Sequence, residues 1–174
     1  AVDEQLRHFA DLATLRARVE HFERHHVPVD APLFDVLARL DEHLAFMRAH
    51  TEYRDSAAFA AKYEQLRARA LALLKGEVAR ALKQNTARIV AQVRAENARR
   101  AGAGDACEQA VDAQYYVQFR ALAPKLRPLC AQLEQRHDDA HGAALLRDCH
   151  EAFFACRHML LFSAVSSNVA ALCG

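Results

Sequence analysis

One segment, from about Ala57 to Asn97, constrains the fold more than any other feature of the sequence, because it contains no proline. An unbroken helix over this segment would be about 60 Å long, whereas a compact chain of 174 residues has a radius of gyration of about 16 Å. The sequence therefore predicts a projecting helix or a rod-shaped molecule, with Gly76 as the weakest point of the helix. Its apolar residues recur at helical spacings: Phe59, Tyr63, Leu66, Ala70, Leu74, Val78, Leu82, Ile89 and Val93.

The flanking segments carry the same helical periodicity. Alanine, leucine and arginine, all strong helix formers, dominate the composition, and glycine (5) and proline (4) are scarce. Alternating runs of β-branched and polar residues, which are typical of strands, do not occur in the sequence. These features predict an all-α fold, an elongated helical bundle or rod of five or six helices.

Prolines and short polar residues set the predicted helix ends in the first half of the chain. A first helix is predicted from about Asp3 to His26, and it ends before Pro28 and Pro32, which remove hydrogen-bond donors and restrict the backbone. Asp30 is the predicted cap of a second helix, and Ser56 is the predicted cap of the long third helix.

Further boundaries are predicted in the second half. Residues 98–105 form a loop, and a fourth helix begins near Cys107. This helix is predicted to kink or restart just before Pro124, which cannot donate a backbone hydrogen bond. A polar loop at residues 137–142 precedes a fifth helix, and residues 163–168 are predicted to cap or loop into a short last helix.

The first helix has a seam of the kind found in coiled coils and helical bundles. We therefore predict an N-terminal coiled-coil-like helix at residues 1–27 and a helical domain at residues 33–174, both parts of a larger protein. Four successive seams in a rod leave apolar surface that only partners can cover. The first candidate partner-binding residues are those of the N-terminal seam, Leu12, Leu15, Val19 and Phe22.

Charge and apolar runs exclude several classes of function. The net charge is +1, which gives no strongly basic footprint for nucleic acid. No stretch approaches 18 consecutive apolar residues, and no signal-peptide pattern opens the chain. Five cysteines without close pairing are typical of a reduced, cytosolic protein. Any membrane role is therefore expected to be peripheral and cytosolic.

Two short motifs contain residue types used in catalysis or metal binding. His137 and His141 are four residues apart and could share a metal on a helix, but further ligands are missing nearby. Cys149 has Asp148 and His150 as neighbours, yet it belongs to the apolar seam and is expected to be buried and inert. We favour no catalytic, cofactor or metal residue, and keep a metal-binding helical bundle protein as the alternative function.

Three stretches give the chain a resemblance to a known family. None of the three is a catalytic motif, so the resemblance rests on their order and length. The stretch at residues 116–127 is the most specific. Together they span about Leu33 to Leu161. The first stretch is Leu40-Asp41-Glu42 with His50, Tyr53-Arg54-Asp55, Phe59 and Tyr63, running on to Leu74-Lys75. The second is residues 116–127 (YVQFRALAPKLR), and the third is residues 145–150 (LLRDCH) with Arg157 and Leu160-Leu161. The chain resembles the Sec34-like family of subunit 3 of the conserved oligomeric Golgi complex.

The resemblance implies a non-enzymatic structural subunit of a vesicle tether that acts in intra-Golgi retrograde transport and Golgi organisation. It implies partners among subunits 1, 2 and 4 of that complex, SNARE proteins and coiled-coil tethers, with no nucleic acid or small-molecule substrate. The implied location is peripheral, on the cytosolic face of Golgi membranes. A lipid-surface protein is a further alternative, but such helices carry a cationic polar face and here acidic residues nearly match basic ones.

A second candidate contact lies in the most specific of the three stretches. In the alternative interpretation its residues are structural: the phenylalanine belongs to the core, and the proline sets a bend between rod segments. These candidate partner-binding residues are Phe119, Arg120, Pro124 and Lys125.

Overall fold

The fold is all-α, as predicted. A computed structural model describes the backbone of residues 2–25, 29–101, 109–137 and 139–173, and the side chains of residues 5–25, 29–96, 98–99, 117–137 and 139–162. Within these ranges the chain forms six helices and no strand. They are α1 (Val2–Ala10), α2 (Leu12–His25), α3 (Ala31–Ala49), α4 (Ser56–Ala101), α5 (Gln109–Glu134) and α6 (Ala140–Cys173).

The predicted first helix is divided at Asp11 into α1 and α2. Helical hydrogen bonds nevertheless continue across the break, since the Asp11 N–H donates to the Arg7 carbonyl at 3.1 Å and the Leu15 N–H donates to the Asp11 carbonyl at 3.0 Å. Aspartate is a poor helix former, and the Asp11 carboxylate pairs with Arg39 of α3. The two helices therefore follow almost one path along α3.

The predicted third helix is α4, the central helix of the molecule. α4 has 46 residues and is about 69 Å long. It passes through Gly76 without interruption, and the idea that Gly76 is the weakest point of the helix stays a prediction. Gly76 is exposed, and a Cβ atom added there would meet nothing within 4 Å.

Helices α2 and α3 pack beside the first half of α4. Arg48 of α3 pairs with Glu64 at 2.9 Å and Asp41 pairs with Arg67 at 2.7 Å, so α3 runs antiparallel to α4. On the same half, the Tyr63 hydroxyl donates to the backbone carbonyl of His8 at 2.7 Å. These contacts build one bundle from α1 to α4.

Helices α5 and α6 pack along α4 from its first half into its second half. Lys125 of α5 pairs with Glu77 at 2.9 Å, and Arg88 donates to Gln118 at 2.6 Å, so α5 is antiparallel to α4. α6 is parallel to α4, because Lys75 pairs with Asp148 near its start and Ile89 packs with Leu160 further on. Two bundles thus share α4, which gives the elongated form that the sequence predicts.

Most buried apolar residues belong to one cluster that runs through both bundles. Ile89 and Leu160 form a second, smaller cluster toward the far end of α4. The largest fully buried apolar side chains of the main cluster come from α2, α3, α4 and α5. They are Leu15, Leu33, Leu37, Leu40, Met47, Tyr63, Leu71, Leu74, Leu82 and Leu133, of which Leu82 is 1% exposed and the others no more than that.

The predicted helix restart before Pro124 and the predicted break at residues 163–168 are wrong, whereas a kink at Pro124 stays a prediction. α5 continues through Pro124 and Pro128, both of which lie on its exposed side. Because Arg120 is also exposed, the carbonyl that loses its partner at Pro124 can bind water instead. α6 continues through residues 163–168, since no glycine or proline follows Gly142 until Gly174, and serine and asparagine cost a helix only tenths of a kcal/mol.

The predicted helix caps have mixed outcomes. Asp30 stands at the N-cap of α3 but its carboxylate makes no capping hydrogen bond. The Ser56 hydroxyl donates to the Met47 carbonyl at 2.6 Å, so it joins α3 to α4 rather than capping α4. The predicted 137–142 loop is shorter than expected, because Asp139 accepts the Gly142 N–H at 2.5 Å and α6 begins at Ala140.

The structure describes only part of the predicted loop at residues 98–105, and it does not describe the predicted start of the fourth helix near Cys107. α4 extends to Ala101, whereas residues 102–108 lie outside the described residues. The proposed division into residues 1–27 and 33–174 stays a prediction. Leu15, Val19 and Phe22 nevertheless belong to the same hydrophobic cluster as α3 and α4.

Candidate partner-binding surfaces

The N-terminal seam faces the interior of this chain. Leu15 and Val19 are fully buried, Phe22 is 7% exposed and Leu12 packs partly buried against the same cluster. Arg69 of α4 clamps α2 further by donating two hydrogen bonds to the Glu23 carboxylate, at 2.6 and 3.0 Å. A partner could reach the seam only after α2 had separated from α3 and α4, so binding there stays a prediction.

The second candidate segment divides between core and surface. Phe119 is half-buried and lies edge-on to Phe153 of α6, with ring centroids 5.9 Å apart. Arg120, Pro124 and Lys125 are exposed on α5. Phe119 therefore has the structural role that the sequence offered as an alternative, whereas the three exposed residues are available to a partner.

An exposed apolar face lies on α6. Phe154 and Phe162 are each 65% exposed, and Leu161 is 49% exposed. The His158 ring stacks on Phe162 at 6.0 Å between centroids, so these residues share one side of the helix. This face could not be distinguished from the buried seam by sequence, because both sides of α6 carry phenylalanine and leucine.

A charge network joins four segments of the chain. Asp41 of α3 accepts from Arg67 of α4 at 2.7 Å and from Arg136, just after α5, at 2.6 Å. Arg67 also pairs with Asp139 at the start of α6. Arg136 is only 8% exposed, and it donates to the Gln132 carbonyl at 2.9 Å as well.

The network favours the charged form of the Asp139 carboxylate. Burial alone would raise the pKa of Asp139, but the hydrogen bonds from the Gly142 N–H and from Arg67 outweigh burial and lower it. Asp139 also caps α6, so the same carboxylate accepts the Gly142 N–H at the start of α6 and pairs with Arg67 of α4. The network therefore fixes where α5 ends and α6 begins relative to α3 and α4.

Two buried histidines join α1 to α3. Their Nδ1 atoms, on His8 and His43, lie 2.7 Å apart, so one ring donates and the other accepts. The Phe46 ring stacks on His8 at 3.9 Å between centroids. Burial lowers the pKa of His43, and the nearby His8 lowers it further. Burial raises the pKa of Tyr63, which lies against His43, to about 12.

Comparison with known proteins identifies the family. The model of the N-terminal part of conserved oligomeric Golgi complex subunit 3 matches residues 1–84, and the model of the C-terminal part of that subunit matches residues 112–173. The two matches cover most of the chain in the expected order. The chain belongs to the family of conserved oligomeric Golgi complex subunit 3.

The chain is also similar to individual curated members of this family. The chain is 26% identical over 178 aligned residues to conserved oligomeric Golgi complex subunit 3 of Homo sapiens and equally to that of Mus musculus, covering 98% of this chain and 20% of each relative. It is 27% identical over 136 residues to subunit 3 of Aedes aegypti, covering 78% of this chain and 15% of the relative. The chain thus spans about a fifth of the length of these relatives. No solved structure gave a significant match.

The charge network links the two parts that the subunit 3 models match separately. Asp41 and Arg67 lie in the N-terminal match, and Arg136 and Asp139 lie in the C-terminal match. α4 begins in the first match and extends beyond it. The two family segments therefore form one packed unit in this chain.

The chemistry expected of the alternative function is not supported. Over the described part of the chain, no group of three or more His, Cys, Asp or Glu residues could hold a metal. The His137 ring is instead bonded to the Glu134 carbonyl, with 2.5 Å between Nδ1 and the oxygen. Burial raises the pKa of Cys149 to about 11, which suppresses its thiolate at neutral pH.

The helices also bear on membrane insertion. Among the described residues, none of the helices combines the length and apolar character that crossing a bilayer requires.

Proposed function

We propose that this chain is part of a non-enzymatic structural subunit of a multisubunit vesicle tether, acting in intra-Golgi retrograde transport and Golgi organisation. The observation that carries the proposal is the ordered pair of family matches, to the N-terminal and C-terminal parts of one Golgi complex subunit. The elongated form supports it, because a helix of about 69 Å can span distance between attachment points.

The proposed partners are subunits 1, 2 and 4 of the conserved oligomeric Golgi complex, together with SNARE proteins and coiled-coil tethers. The exposed phenylalanines of α6 support a need for partners, since contiguous apolar surface on a soluble protein commonly marks an interaction site. The proposed location is peripheral, on the cytosolic face of Golgi membranes. No cofactor, nucleic acid or small-molecule substrate belongs to the proposal.

The test is quantitative affinity purification of the tagged chain from cells, read by mass spectrometry. We expect recovery of subunits 1, 2 and 4 in near-stoichiometric amounts. The matched control is Leu71→Asp, which places a charge in the fully buried core and should unfold the chain. Equal recovery by the control would show capture of unfolded protein, and recovery of no complex subunit by the intact chain would contradict the assembly role.

A further inference from the structure

Charge is unevenly distributed along this chain, although its net charge is only +1. Residues 1–64 carry 12 acidic and 8 basic residues. Residues 75–94 of α4 carry five basic residues and one acidic residue, Glu77, and residues 117–128 of α5 carry three basic residues and no acidic one. Since α5 packs antiparallel on this part of α4, the two segments together form a basic region.

A cleft opens between α4 and α5 within this basic region. Its volume is about 290 Å³, the size of a few side chains rather than of a typical cofactor pocket. Lys125 lies at the cleft and is already paired with Glu77 at 2.9 Å. The lining residues are Ala81, Gln84, Asn85, Arg88, Leu122 and Lys125.

Arg88 is a cation held in place by neutral groups. Its guanidinium donates to the Asn85 side-chain oxygen at 2.8 Å and to the Gln118 side-chain oxygen at 2.6 Å. Among the residues whose side chains are described, no carboxylate pairs with Arg88. A guanidinium fixed by two amides keeps its remaining N–H groups and its full charge for a ligand.

Asn85, which also lines the cleft, carries an unpaired donor. It is only 5% exposed, and its Nδ2 group has no acceptor among the described residues. The orientation of the amide is fixed, because turning it over would place its NH₂ group against the Arg88 guanidinium, donor against donor. A buried amide donor beside an unneutralised guanidinium is a pair of groups that a carboxylate satisfies together.

We propose that the α4–α5 cleft binds a carboxylate side chain of an acidic protein segment, through Arg88 and Asn85, with Lys125 at its edge. The cleft favours a protein over an anionic membrane, because attraction to a lipid surface needs only exposed cations and gives no role to a buried amide. The inference goes beyond the proposed function, since it concerns the chemistry of the cleft whichever protein supplies the acidic segment.

The first test uses the purified chain and a fluorescein-labelled helical peptide with glutamate at every third or fourth position. We expect saturable binding by fluorescence anisotropy at about 20 mM salt, where charges act over long distances. A peptide with glutamine at every glutamate position should not bind. In spectra of the ¹⁵N-labelled chain, the Asn85 side-chain amide signals should shift on titration, and the Asn85→Ala variant assigns those signals.

Variants separate the cleft from general electrostatics. Arg88→Gln should weaken peptide binding about tenfold, the equivalent of about 1.4 kcal/mol, and Asn85→Ala should weaken it about threefold. The matched control is Arg16→Gln, which removes an equal charge from the exposed face of α2 and should leave binding unchanged. Thermal melting of each variant verifies that it is folded.

Three results would overturn the proposal. The first is equal weakening by Arg16→Gln, and the second is the absence of peptide binding. The third is binding of vesicles containing about one fifth anionic lipid, lost in Arg88→Gln, without peptide binding, which would assign the basic region to a membrane. None of these depends on recovery of the Golgi complex subunits, so failure here is distinguishable from failure of the assembly role.

Discussion

The contact between His8 and His43 makes the docking of α1 dependent on pH. A short Nδ1 to Nδ1 contact needs one unprotonated nitrogen, and the pKa of His43 is lowered by burial and by His8. Asp11 and Glu42 oppose this shift, whereas Arg39 reinforces it. Because the folded state favours neutral His43, its contribution to stability is complete above the unfolded pKa of about 6.5 and is lost as the pH falls below it.

We therefore expect the free energy of unfolding to fall between pH 7.5 and 5.5, by up to about 1.4 kcal/mol per pH unit for one proton. Urea unfolding followed by circular dichroism measures this change. His43→Gln should be less stable at pH 7.5 and should lose less on acidification, since glutamine does not titrate. An identical pH dependence in this variant would assign the effect to other histidines.

Two glycines should respond in opposite directions to the same substitution. A Cβ atom at Gly76 would meet nothing within 4 Å, whereas at Gly142 it would lie 1.9 Å from the Arg136 carbonyl oxygen. Gly76→Ala should stabilise the chain by about 0.5–1 kcal/mol, and Gly142→Ala should destabilise it by about 1–3 kcal/mol. Urea unfolding midpoints measure both, and destabilisation by Gly76→Ala would indicate that α4 needs flexibility there.

At the scale of helices, the N-terminal seam stabilises the fold. Leu15→Ala should lower the free energy of unfolding by about 2–5 kcal/mol, because Leu15 is fully buried between α2 and its neighbours. Thr14→Ala, on the exposed side of the same helix, should change it by less than about 0.5 kcal/mol. Chemical denaturation of the two variants gives the comparison.

Because Leu15 and Val19 are buried, a charged variant of the N-terminal seam cannot by itself test partner binding. Glutamate at Leu15 and Val19 would weaken assembly through unfolding even if no partner touched the seam. A small effect of Leu15→Ala would indicate that α2 detaches readily, and would restore the seam as a partner-binding surface.

The helices could be predicted from apolar periodicity, because each buried stripe must lie on one face of its helix. The breaks could not be predicted equally well. Pro124 lies on an exposed face, where water can replace the missing hydrogen bond, and the residues at 163–168 are only weakly unfavourable in a helix. Asp11, where the first helix divides, pairs with Arg39, a residue that lies 28 positions away along the chain.

At the scale of the whole molecule, polar contacts between distant segments set how the two bundles share α4. Arg67 reaches Asp41 across 26 positions of sequence and Asp139 across 72, and Arg136 reaches Asp41 across 95. Periodicity indicates which face of a helix is buried, but it does not indicate which arginine meets which aspartate. For the same reason the sequence identified Lys125 as a candidate without its neighbours Arg88 and Asn85 in the cleft.

The network should couple the two parts of the chain that the family models match. Arg67 is 16% exposed, so Arg67→Gln leaves Asp139 without its cation and Asp41 with Arg136 alone, and should cost about 1–3 kcal/mol. Hydrogen exchange should accelerate together in α3 and in the first turns of α6, because both lose the residue that joins them.

Arg48→Gln is the matched control for this prediction. Arg48 of α3 pairs at 2.9 Å with Glu64 of α4, the helix that also carries Arg67, but both side chains are more than half exposed. An exposed ion pair contributes little, so this variant should change stability by less than about 1 kcal/mol and leave exchange in α6 unaltered. If Arg67→Gln accelerated exchange in α3 alone, the two family segments would be held together by apolar packing along α4, and the network would only adjust their register.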